Sequence, residues 1–216
     1  MTHSLHRQGD RCSLERDFVV LACTAKGYND DVFCPLAQEF ARICLRHEPV
    51  NVGDMKTGST LYMDAEEIIS RVSSRTIVDV TFDSREKVVA AIKDLAAADL
   101  GISVVISGLH DVVDGILREA GVPPVHTREY SLGVHGHLKL LPEEEILEFT
   151  TMCGHAMVAK DLVKEALVRV KLGRSSLRQA ALLMGKCCSC GNFNVTRAIH
   201  LLSKNLPRWV ADFPLY

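Results

Sequence analysis

Residues 76–107, TIVDVTFDSREKVVAAIKDLAAADLGISVVIS, decide the fold class. Thr76–Phe82 alternates apolar and polar residues, the period of a half-buried strand. Ser84 then stands where a helix needs an N-cap, and a helical pattern runs to about Ala98. Gly101–Ser107 is short, apolar and β-branched, which predicts a second strand. Leu109–Ala120 predicts a second helix, ended by Gly121 and followed by Pro123-Pro124. Val125–Leu141 reads as one or two strands around Gly133 and Gly136. Upstream, Asp17–Thr24 reads as a buried strand and residues 25–31 as a loop. Pro35–His47 has a helical period, with Pro35 in the first turn. Residues 50–63 contain Gly53, Gly58 and several small polar residues. Their likeness to a phosphate loop lacks the spacing of one. Asp64, with Glu67 three residues on, outlines a capping box for a helix through Ser73. The class is therefore α/β (or α+β), a mixed sheet with helices in residues 17–141. The pattern leaves strand order open. The Gly-x-Gly-x-x-Gly dinucleotide fingerprint follows none of the candidate strands.

From Pro142 onward the pattern is helical. Glu143–Glu145 suit a first turn, where the helix dipole favours acids. Met152–Val170 reads as one long amphipathic helix stopped by Gly173. Ser175 and Ser176 cap a short helix to Gly185. Asn194 caps a last helix, which Pro207 is expected to close. The division is 1–141, a sheet-and-helix region, and 142–216, a helical region bearing the cysteine clusters, the two forming one compact unit.

Composition narrows the function classes. Apolar residues make up 47% of 216, enough for a sizeable core. The sequence contains neither a bilayer-length apolar run nor a secretory pattern at its start, so the expected location is cytoplasmic. Eight cysteines in a reducing compartment are expected as thiols, metal ligands or core groups. Cys23 and Cys44 fall in apolar patterns and read as core. Cys12 is uninformative, and Cys34 is a reserve ligand. Beyond residue 150, ten Lys and Arg stand against three acids, a surplus of +7, while the first 150 residues carry −9. Such a basic segment suits an anionic cofactor or a small anionic substrate, or simply a solvated helix face. Without interleaved aromatics it does not suit nucleic acid. A homo-oligomer is compatible with the pattern, and a membrane is not.

The chemistry concentrates in Lys186–Arg197, Lys-Cys-Cys-Ser-Cys-Gly-Asn-Phe-Asn-Val-Thr-Arg. Cys187, Cys188 and Cys190 fall within four positions, and Cys153 precedes Gly154-His155 upstream. Either Cys-x-x-Cys or Cys-x-Cys lets two thiolates converge from a tight turn. A helix start lowers a thiol pKa. Cys153, Cys190 and one of Cys187 and Cys188 are expected to hold an iron–sulfur cluster of the 4Fe–4S type. With four cysteines the cluster is closed and serves structure or electron transfer. With three, one iron is open and acts as a Lewis acid, as in lyases that dehydrate hydroxy acids. In that case His155 is the candidate general acid/base and Arg197 the carboxylate-binding residue, with Asn192 or Asn194 as orienting groups. Zinc, held by the same cysteines and His155, is the competing metal. His135 and His137 share a side if their segment is a strand, and could form half a metal site or an exposed face. His110-Asp111 reads as a first helical turn. Residues 1–16 read as a frayed terminus, although His3, His6 and Arg7 could grip an anion.

Met152-Cys153-Gly154-His155 resembles the Met-Cys-Gly-His motif of the proline racemase family, and Ser189-Cys190-Gly191 resembles its Ser-Pro-Cys-Gly motif. The likeness covers fewer than ten residues. The chain is shorter than that family and lacks the proline of the second motif and the mostly β, two-domain pattern. The resemblance implies an alternative: a cofactor-independent racemase or isomerase in which Cys153 and Cys190 move a proton. A structural zinc protein is the third reading.

Overall fold

The apolar run Phe18–Cys23 becomes β1, the second strand in from one edge of a five-stranded antiparallel sheet. In the computed structural model, which describes residues 6–212, the order is β3-β2-β4-β1-β5. The other strands are β2 (Asn51–Asp54), β3 (Gly58–Ser59), β4 (Ile77–Phe82) and β5 (Ser103–Ser107). β1 pairs antiparallel with β4, from Phe18↔Phe82 to Cys23↔Ile77, and on its other side with β5, Val19↔Ser107 to Cys23↔Ser103. β2 pairs antiparallel with β4. Hence β1 and β2 run parallel with β4 between them, and β4 and β5 run parallel with β1 between them. This is a pair of split β-α-β units, crossed over by α2 (Phe33–Leu45) and α4 (Arg85–Ala98).

Alternation along the strands assigns the two faces. Phe18, Val20, Ala22, Val80 and Phe82 point to one side and form a core with α2, α4 and α5 (His110–Ala120). The caps are those the sequence predicts. The Ser84 hydroxyl accepts from the Lys87 N–H, and Asp64 accepts from the Glu66 and Glu67 N–H groups at the start of α3 (Ala65–Ser70). Gly121, with φ +74°, ends α5.

The second core lies among α6 (Glu144–Thr150), α7 (Lys160–Lys171), α8 (Leu177–Gly185) and α9 (Val195–Asp212). It docks on the other sheet face through the turn that follows α8. Here the sheet offers polar and small residues, because it meets backbone. Asn51 Nδ2 donates to the Phe193 carbonyl at 3.2 Å, Thr81 Oγ1 to the Gly191 carbonyl at 2.8 Å, and Ser59 Oγ to the Cys188 carbonyl at 3.4 Å. A Cβ on Gly53 would lie 2.5 Å from the carbonyl of Cys190.

Residues 50–63, to which the sequence pattern assigns no element, carry the β2–β3 hairpin, and Gly53 is there for close approach. Three expectations are corrected. Val125–Leu141 forms no strand among the described residues, only a 3-10 turn at Leu138–Leu140. Gly133 and Gly136 take φ +86° and +95°, and the segment pairs with no strand of the sheet. Met152–Val170 is not one helix: residues 151–159 leave helical geometry and α7 starts at Lys160. Pro207 does not close the last helix. It lies inside α9, which runs past it to Asp212. Among the described residues no helix is long and apolar enough to cross a membrane.

Gly53→Ala is expected to destabilise the protein by about 1–3 kcal/mol, the usual range for overpacking a filled interior. Urea denaturation would check this, with Gly115→Ala, whose added Cβ meets only the end of the Arg85 side chain at 3.4 Å, as the control for glycine removal.

Candidate functional site

The helix break at residues 151–159 exists to wrap a sulfur. Cys153 is followed by Gly154 at φ +80° and Ala156 at φ +52°. Left-handed residues in such a turn curl successive N–H groups toward one point, an anion-binding nest. The Met157 N–H donates to Cys153 Sγ at 3.1 Å. The Cys153 thiol is pulled down to about 6, first by a hydrogen bond from the Cys188 thiol, then by the N–H groups of Met157, His155 and Val158. Burial opposes the shift. The Cys188 thiol is pushed up by its contacts with Cys153 and Cys190 and by burial, so it stays protonated and donates. The pair is a thiolate and a thiol in contact.

The third sulfur comes from the turn after α8. Cys188 Sγ and Cys190 Sγ are 3.7 Å apart, and Asn192 Nδ2 donates to Cys190 Sγ at 3.3 Å. Gly191, at φ +90°, lets this turn lie on β2; a Cβ there would stand 2.4 Å from the Gly53 nitrogen. Cys153, Cys188 and Cys190 are 0%, 1% and 4% exposed, inside a core with Phe149, Met152, Met184 and Phe193.

The two cysteine turns are tied together by Arg7. Its Nε donates to the Met152 carbonyl at 3.1 Å and its Nη2 to the Asn192 carbonyl at 2.8 Å, while Nη1 pairs with Asp17 Oδ1 at 3.1 Å. Arg197 takes the other oxygen, with Nη1 2.7 Å from Asp17 Oδ2. Its Nε donates to Ser13 Oγ and its Nη2 to the Gln8 carbonyl. Asn194 caps α9 by accepting from the Arg197 N–H, and its Nδ2 donates to Asp17 Oδ1. Residues 7–17 are thus a strap locked over the site rather than a frayed end. Arg7 is the residue that sequence reading undervalued. Its only signal was an arginine ten residues ahead of the acid that opens the β1 run. His6 is exposed, and His3 lies outside the described residues.

The structure brings together Cys153, Cys188, Cys190 and Asn192. Cys187 is half-buried against the same core, and its thiol makes no hydrogen bond among those described. His155 contributes its backbone N–H to the Cys153 sulfur, while its side chain is exposed. The Arg197 guanidinium is buried and committed to Asp17, Ser13 and Gln8. Cys34 lies in the first turn of α2. His135 is turned back onto the Leu132 carbonyl, 2.8 Å from its Nε2, in the exposed segment that also carries His137. His110 stacks edge-on against Tyr130. Among the described residues no group of three or more His, Cys, Asp or Glu side chains is arranged so that it could hold a metal ion. Cys188 touches both Cys153 and Cys190. Compared with protein-family models, curated proteins and solved structures, the chain matches none significantly.

Two outcomes follow from this geometry. Native protein treated with iodoacetamide should label at Cys12, which is exposed, and not at Cys153, Cys188 or Cys190 until denatured; peptide mapping reads the sites. Asp17→Asn should destabilise the protein by about 3–5 kcal/mol, because it leaves two buried guanidinium groups without their carboxylate. Chemical denaturation of the variant checks it.

Proposed function

We propose that Cys153, Cys188 and Cys190 bind a thiophilic metal centre, of the iron–sulfur or zinc class, as a closed site inside the helical layer. The observation that carries this reading is a chain of three thiols all but sealed from solvent: Cys153, wrapped by backbone N–H groups, against Cys188, and Cys188 against Cys190. A buried thiolate needs a countercharge, and a metal cation supplies one. Asn192 adds support. It is fully buried, its Nδ2 touches Cys190 Sγ, and its Oδ1 finds no donor in the protein. A buried carboxamide oxygen left unpartnered, on a residue that touches Cys190 Sγ, suits a cation.

The spacing bears on the class. Two thiolates on one metal at ~2.3 Å, at tetrahedral angles, stand about 3.8 Å apart. Cys188 and Cys190 are at 3.7 Å. That favours both on one ion, as at zinc or at one iron of a two-iron cluster. A 4Fe–4S cluster takes each thiolate on a different iron and would spread these sulfurs further. Closure also favours a structural or electron-transfer role over an open-iron lyase. The sulfurs offer a substrate no approach, the His155 ring faces outward, and Arg197 is engaged by Asp17.

A second reading keeps the sulfurs metal-free. A thiolate at Cys153 with a protonated Cys188 against it is the pairing of a dithiol couple, which forms a disulfide on two-electron oxidation. The racemase-type alternative needs the same thiols open to substrate, and their burial weighs against it.

Metal and acid-labile sulfide analysis of protein purified without oxygen separates these readings. The expected result is bound metal that is lost in Cys188→Ala and Cys190→Ala and retained in Cys187→Ala and Cys12→Ala. Iron with sulfide and visible colour identifies a cluster, and colourless protein with tightly held zinc identifies a single-ion site. No metal after anaerobic reconstitution overturns the proposal and leaves the dithiol couple.

A further inference from the structure

β5 is the last strand of its sheet, and no strand pairs with its outer edge. Among the described residues its backbone bonds only to β1. Exposed edges are normally blunted by charge, proline, a bulge or a covering element, because they template pairing with another chain. Ser103-Val-Val-Ile-Ser107 has no charge, no proline and no bulge. Val104 is 37% exposed, unusual for a β-branched residue whose strand neighbours are core.

The sequence of this strand is symmetric about its centre. In an antiparallel pairing of two copies centred on Val105, Val105 meets Val105, Val104 meets Ile106, and Ser103 meets Ser107. Every pair is like with like. The faces match as well. Val104 and Ile106 lie on the α4–α5 side, since they pair with Ala22 and Val20 of β1, which face that core. A two-fold axis perpendicular to the sheet puts the same face of both copies on one side, so the half-covered Val104 meets the partner's apolar Ile106. Beside this edge lies a cavity of about 580 Å³, lined by β5, α5 and residues 122–129. The segment beyond α5 also leaves Tyr130, Leu132, Leu138 and Leu140 exposed. A stable interface buries roughly 1,200–2,000 Å² in total, more than a five-residue strand pair covers alone. Residues 122–129, the start of this segment, line the cavity together with β5 and so add to the area the strands lack.

We propose that β5 pairs antiparallel with β5 of a second copy of this chain, about a two-fold axis at Val105, to give a continuous ten-stranded sheet. Residues 122–141 of each copy cover the joint. Such an interface is isologous, as a two-fold dimer requires. It lies apart from the thiol site, and none of the three thiols lines the cavity.

Sedimentation velocity of the full chain over a dilution series tests the pairing. The expected result is a dimer for the wild type and monomers for Val104→Lys and for Ser103→Lys. The second variant alters an exposed position and so spares the core. Circular dichroism shows that each variant is folded. Hydrogen exchange should find the β5 amides protected in the wild-type dimer and exchanging in the variants. A wild-type monomer at every concentration, or a dimer that survives both folded variants, overturns the proposal. So does a dimer in which the β5 amides exchange as fast as in the monomer.

Discussion

The contact between Gly53 and the Cys190-Gly191 turn is the constraint on which the rest depends. Two backbones meet there with no room for a Cβ on either side. That one approach joins the two cores. It also explains why the sheet face around it is polar: Asn51, Ser59 and Thr81 hydrogen-bond the carbonyls of a turn that would otherwise be buried without partners. The turn is held at three carbonyls by the sheet, so the sulfurs of Cys188 and Cys190 are presented from a rigid support. A loop anchored only at its ends could not hold two thiols 3.7 Å apart against the entropy of their rotamers.

Charge organises the second junction. The cationic surplus beyond residue 150 suggested a basic surround for the thiolates. In the structure it goes elsewhere. Arg197 meets Asp17, Lys204 meets Asp10, and Arg169 meets Glu165 on its own helix. The acidic first part of the chain and the basic last part are in good measure partners of one another. The cation nearest in effect to the cysteine turns is Arg7, which donates to a carbonyl in each. Its role is positional: it pins the turn that carries Cys153 to the turn that carries Cys190, while Asp17 balances its charge in the interior.

How much of this was legible depended on range. Ser84, Asp64, Ser176 and Asn194 act within three residues of themselves, and their caps were readable as sequence. β1, β4 and β5 were readable because their apolar runs are β-branched and punctuated. The β2–β3 hairpin was not, since Gly53, Ser59 and Asn51 are selected by a backbone more than a hundred residues away. The break after Cys153 was hidden by helical periodicity in Val163, Ala166 and Leu167, which belongs to α7 alone. Gly154 was its local sign. The 125–141 segment misled in the opposite sense: its apolar residues have strand-like composition but no ladder within the chain. Of the cysteines, clustering in the sequence pointed to the turn where Cys188 and Cys190 meet, while the preference for Cys188 over Cys187 comes only from the geometry of that turn.

Burial and ionisation pull against each other at Cys153, and that tension limits what the site can be. A thiol sealed in an apolar core should have its pKa raised, as burial does for Cys44. Cys153 is equally sealed and goes the other way, because three backbone N–H groups and a neighbouring thiol point at it. Aligning those donors requires a left-handed alanine at position 156, a conformation that costs of order 1–3 kcal/mol and persists only where the surroundings hold it. Nothing in packing a small apolar group would require that conformation. A sulfur on which negative charge is favoured, and which is closed to solvent, is the basis for proposing a positive partner that stays rather than a substrate that must enter and leave.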